Sequence, residues 1–246
     1  MSKQRINWYK YAAPANFYPL AGKLIPLFAI PAAVLFIWGM YVGFFVAPPT
    51  DAQQHEYYRI IYIHVPAAWM GMFLYVLMAL YAGVGWAFNA RLGSMMATAI
   101  APTGAIFTFI SLVTGSLWGR PAWGVWWVWD ARLTSTLILM FLYIGFISLQ
   151  SSIDDVRRAD RAGAVLAVVG VINVPIIYFS VQWWNSLHQG ATITARSFKM
   201  APSMRSAMFI MVGACWLYSI AVCLVRVRHI IREREQEAPW LTESPA

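Results

Sequence analysis

Six runs of apolar residues, each long enough to cross a bilayer as a helix, limit this chain more than any other feature. They fall near residues 24–46, 60–86, 95–118, 133–150, 163–182 and 203–225, and a hydrocarbon core takes about 20 residues of helix. Breakers and charges separate them: APPTD at 47–51, NAR at 89–91 and DDVRRADR at 154–161. The composition agrees, being 60% hydrophobic and 11% charged, against about 25% charged residues in an ordinary globule. The expected fold class is therefore all-α, a polytopic integral membrane protein of six transmembrane helices in a single domain. The first run follows Lys3, Arg5, Lys10 and Lys23, as a signal peptide would. It is too long for an h-region of about 7–15 residues and lacks a small-x-small site, so it reads as a retained span.

Charge sets the expected orientation. Six spans put both termini on one side, and the N-terminal segment, Arg91, the 4/5 loop and the tail hold 12 of the 18 basic residues. Those segments, and with them both termini, should be cytoplasmic, where an anionic leaflet accounts for the net charge of +8. The tail RVRHIIREREQE reads as a solvated helix continuing the last span, with His229 a surface residue. The outer face receives the 1/2 loop, a tryptophan-rich segment at 119–132 and the 5/6 loop at 183–202. It also receives six basic residues that call for an explanation: Arg59, Arg120, Arg132, Arg196, Lys199 and Arg205.

Three of the four histidines lie on or near that face. His64, in RIIYIHVPAAW, sits about one turn inside the second span, where an ionisable side chain is costly and marks a candidate site. His188, in WWNSLHQG, follows a tryptophan pair and could lie on a short interfacial helix; His55, among acids, reads as solvated. The stretch WGVWWVWD, Trp123 to Asp130, holds four tryptophans, with Trp118 just upstream. Interfacial belts explain one or two indoles at a helix end. If helical, this stretch would show Trp123, Trp126, Trp127, Trp129 and Asp130 on one side, a wide polarizable surface suited to a planar hydrophobe. A planar ligand that also wants imidazole and positive charge is a metalloporphyrin, with histidine on iron and arginine on the propionates.

Several chemistries have no motif here. There is no P-loop, no metalloprotease HExxH and no carboxylate pair. Cys215 and Cys223 are eight apart in one apolar run, so a helix would hold them roughly 12 Å apart along its axis. With no CxxC or CxxCH, haem would be held without a covalent link.

The sequence WGVWWVWDARLT resembles the WWD signature of the haem-handling membrane proteins of cytochrome c biogenesis. Together with IHVPAAW in the second span and LHQG in the last outer loop, it resembles the haem exporter protein C family over about residues 24–225. The resemblance implies His64 and His188 as axial ligands to the iron of a transported, non-covalent haem b. It implies the tryptophan motif, Trp123 to Asp130 with Trp118, as the platform for the haem edge. Arg59 and Arg132 are candidate propionate contacts on the grounds of charge and position.

The expected partners are a periplasmic haem chaperone, the ATPase and membrane subunits of an ABC transporter, and a small single-span subunit. The expected place is the bacterial inner membrane, with the haem site on the periplasmic face. The chain would present haem rather than catalyse a reaction. A membrane electron-transfer component is the alternative that paired in-span histidines would favour, and no span holds two. A purely structural subunit would show no porphyrin absorbance.

Overall fold

Helices account for every regular element among the residues that the computed structural model describes, 8–47, 55–184, 186–188 and 200–242. After a 3-10 turn, Trp8–Ala12, the chain forms α1 (Pro14–Tyr41), which passes into a π-helical turn, Val42–Val46. A second 3-10 turn, His55–Ile60, leads into α2 (Ile61–Ala87), followed by α3 (Arg91–Trp123) and α4 (Ala131–Ser152). The next crossing is built from α5 (Val156–Gly170) and α6 (Asn173–Trp183), and the last from α7 (Pro202–Arg234), with α8 (Pro239–Thr242) at the end. Six of these stretches are long and apolar enough to cross a membrane. The side chain of His55, and both Arg196 and Lys199, lie outside the described residues.

Several helices begin or end at residues suited to the unpaired backbone groups there. Pro14 and Pro202 open α1 and α7, where a missing N–H costs nothing. Asp130 and Asp155 cap α4 and α5 by accepting from the N–H groups of Leu133 and Arg158, each at 2.8 Å. Gly124, at φ 80°, closes α3 in the left-handed conformation that glycine adopts without strain.

These caps extend the helices beyond the apolar runs. The third helix continues through Trp118 to Trp123, and the fifth crossing starts inside the charged DDVRRADR segment. There Arg157, Arg158 and Arg161 face outward while Ala159, Gly163 and Ala164 are buried. An apolar window marks only the lipid-thick part of a helix; capped, amphipathic ends lie outside it.

The tail departs from expectation in a similar way. Helix α7 does run on to Arg234, but one face is docked: Val227 and Ile231 are fully buried. Arg228 lies over the Tyr18 ring at 4.3 Å, and Arg234 donates to both oxygens of Asp160 at 2.9 and 3.1 Å. His229 stays exposed, beside Glu233 at 3.2 Å.

In lipid the apolar effect does not drive helices together, so close packing and hydrogen bonds must. Helices α2 and α3 come close at Gly85 and Gly93, where a Cβ on Gly93 would lie 2.9 Å from the Tyr81 carbonyl oxygen. The Tyr143 hydroxyl donates to the Gly71 carbonyl at 2.8 Å, tying α4 to α2. Helix α1 is buried only at Pro14, Ala21, Ala32 and Gly39, and turns Leu27, Ile30, Phe36 and Ile37 outward. The core therefore sits among α2 to α7, with α1 packed on α7 at its edge.

Candidate haem site

At the end of the bundle opposite the tail, α2, α3, α4 and α6 surround a cavity of about 570 Å³, counting the part that opens to solvent. Its walls include His64, Ser111, Trp127, Arg132, Thr136 and His188. The two histidines, 124 residues apart in the chain, thus face one space.

His64 is brought there by α2 and held by α3. Its Nδ1 lies 3.0 Å from the Thr114 hydroxyl, which in turn donates to the Ile110 carbonyl at 2.6 Å. A Cβ on Gly115 would lie 3.0 Å from the ring Cε1, so the absent side chain is what lets imidazole and helix come this close. The Trp118 ring stands edge-on to His64, with centroids 5.9 Å apart.

His188 reaches the same cavity from a loop, and a chain of three bonds holds that loop. The Asp130 Oδ1 accepts from the Leu133 N–H, its Oδ2 accepts from the Ser186 hydroxyl at 2.5 Å, and the His188 N–H donates back to Ser186 Oγ at 3.1 Å. One carboxylate therefore starts α4 and anchors the histidine loop. The described residues 186–188 are not helical, so no interfacial helix carries His188. Trp123 packs against its ring at 5.0 Å. Burial, with the positive charge of Arg132, pushes the His188 pKa down to about 4, against the opposing pull of Asp130. The imidazole is neutral at pH 7, the form that can bind a metal.

Arg132 lines the cavity from the first turn of α4 and makes no hydrogen bond or ion pair with a described residue. Asp130, two residues away, makes no ion pair with it; its carboxylate accepts instead from Leu133 and Ser186. Arg59 is differently placed. Its guanidinium donates to Glu56 and to the carbonyls of Gly43 and Ala47, at 2.7 and 2.9 Å for the last two. Those carbonyls lie at the end of the first crossing, so Arg59 joins the first two crossings; it is not among the residues that line the cavity.

The tryptophans do not form one helical surface. Gly124 ends α3 directly after Trp123, and residues 124–130 run as an irregular connection. Arg120 braces that turn by donating to the Gly124 carbonyl at 2.5 Å. The indoles divide: Trp118 and Trp123 each face a histidine, Trp127 lines the cavity, and Trp126 and Trp129 are 55% and 77% exposed. Trp127 and Trp129 meet nearly at right angles, at 77°. Buried polar atoms remain unspent here: Trp118 Nε1, Trp127 Nε1 and His188 Nδ1 have no partner among the described residues, an arrangement costly in a finished interior.

Sequence reasoning passed over Ser111, Thr114, Gly115, Thr136 and Ser186. A signal existed for three of them, since Ser111, Thr114 and Gly115 are small or polar residues at helical spacing within an apolar run. Ser186 carried none, because its use depends on a residue 56 positions away.

A family model described as "Heme exporter protein C" matches residues 7–242. The chain is 46% identical to the heme exporter protein C of Escherichia coli K12 over 235 residues, covering 96% of this chain and 95% of that one. It is 42% identical to that of Haemophilus influenzae, covering 95% of each chain, and 34% identical to that of Paracoccus denitrificans, covering 97% of this chain and 99% of that one.

Proposed function

Since the chain belongs to the heme exporter protein C family, we propose that it holds haem in the cavity between His64 and His188 and presents it to a partner for cytochrome c maturation. The observation that carries this reading is the convergence of two imidazoles, an indole and one guanidinium, unpaired among the described residues, on a single cavity. Each suits a different part of haem: imidazole the iron, indole the macrocycle, guanidinium a propionate. Trp127 Nε1 and His188 Nδ1, buried and without a partner among the described residues, are further polar atoms that a ligand could satisfy. Haem is here the cargo, a haem b held without a covalent bond.

The cavity lies at the end of the bundle away from the basic tail, which the positive-inside rule makes the periplasmic end in a bacterial inner membrane. Trp126 and Trp129, exposed beside it, offer a surface to an incoming periplasmic haem chaperone. The subunit acts by binding and release, not catalysis. ATP-driven release belongs to the ATPase and membrane subunits of an ABC transporter, with a small single-span subunit beside them. Arg132 is the propionate contact, and Arg59 braces the first two crossings behind it.

Absorption spectra of detergent-purified wild type, His64→Ala and His188→Ala test the reading. Each substitution should weaken or shift the Soret band. A band indifferent to both would remove the histidines from the iron.

A further inference from the structure

We propose that Thr114 is a positioning residue for His64, fixing the imidazole in the Nδ1-protonated tautomer and so reserving Nε2 for a metal in the cavity. The proposal rests on the reading of His64 as an iron ligand. The Thr114 hydroxyl lies 2.6 Å from the Ile110 carbonyl oxygen and 3.3 Å from that of Ser111. A carbonyl only accepts and a hydroxyl has one proton to give, so that proton is spent on the helix backbone. What Thr114 has left for His64 Nδ1, 3.0 Å away, is a lone pair. Nδ1 must then carry the hydrogen, and in a neutral imidazole the other nitrogen holds the free lone pair.

The ring has little freedom to escape this arrangement. Cε1 lies against α3 at Gly115, and the edge of Trp118 closes another side. Rotating the hydroxyl to serve the opposite tautomer would give up its 2.6 Å bond to Ile110. A metal-bound histidine usually donates its second nitrogen to an oxygen acceptor, which orients the ring and raises its basicity. Here that acceptor is in place before any metal arrives. It is a neutral hydroxyl with its own proton committed, so it orients the imidazole without drawing it towards the anionic form as a carboxylate would.

The test uses the full-length chain in detergent, labelled with ¹⁵N-histidine, as wild type, Thr114→Val and Thr114→Ser. The His64 signals are assigned by their loss in His64→Gln. In the haem-free wild type the ¹⁵N shifts should report Nδ1–H, and Thr114→Ser should keep them. Thr114→Val, nearly the same shape but without the hydroxyl acceptor, leaves the ring the Ser111 backbone carbonyl as a weaker alternative and should show the Nε2–H form or a mixture. Haemin titration should then show binding weakened about 10- to 100-fold in Thr114→Val, with Thr114→Ser close to wild type.

An Nε2–H form in wild type, or a Thr114→Val spectrum unchanged from wild type, overturns the proposal. So does unchanged haemin affinity in Thr114→Val when His64→Gln loses binding. If His64→Gln itself binds haemin as wild type does, the ligand reading fails first, and the tautomer spectra identify that failure separately.

Discussion

Asp130 shows how much one side chain can hold in place. It caps α4 through Leu133 and holds Ser186, which carries the backbone of His188. Asp130→Ala should cost about 1 kcal/mol for the lost cap alone, and should also release the loop. Hydrogen exchange at 186–188 should accelerate while the helical circular dichroism is nearly unchanged; protection equal to wild type would separate the loop from the carboxylate.

His188 adds a pH dependence. Its folded pKa, about 4, lies below the ordinary value of 6.5, so the unfolded chain takes up the proton first on acidification. The stability due to neutral His188 is then complete above about pH 6.5 and lost as pH falls toward about 4. Thermal unfolding of wild type and His188→Gln in detergent should converge over that window.

At the scale of the element, the tryptophan segment works through where α3 stops. With Gly124 in the left-handed conformation, Trp123 stays on the helix against His188 while Trp126, Trp127 and Trp129 leave it on an irregular connection. The indoles should therefore not be equivalent. Trp127→Ala should weaken haemin binding by about 0.5–1.5 kcal/mol, roughly 2- to 10-fold, whereas Trp129→Ala, at an exposed position, should change it less. Fluorescence-quenching titrations of the two variants would measure the order. Equal losses, or abolition of binding by either, would contradict the division into inner and outer rings. Gly124→Ala would force a side chain into the left-handed region, at a cost of about 1 kcal/mol, and should lower the melting temperature of the whole segment.

At the scale of the molecule, six crossings place the histidine cavity at one end and the docked tail at the other. Ala122→Cys and Arg161→Cys should consequently react with an impermeant maleimide from opposite sides of oriented membrane vesicles, Ala122→Cys from the periplasmic side. Labelling of both from the same side would break the proposed topology. The crossings themselves were legible in the sequence because lipid demands about 20 apolar residues for each of them, and that demand leaves a mark in composition that no tertiary contact can erase. His64 was legible for the same reason, as an ionisable residue in an apolar run, and the tryptophans through their density.

What the sequence could not determine was pairing. That Arg132 faces the cavity while Arg59 donates to the carbonyls of Gly43 and Ala47, that Asp130 holds a loop 56 residues away, and that Thr114 meets His64 all depend on which helices lie side by side. Between lipid-soluble helices that choice rests on small-residue contacts and single hydrogen bonds. Such interactions act over a few ångströms between residues far apart in the chain, so only the folded bundle specifies them.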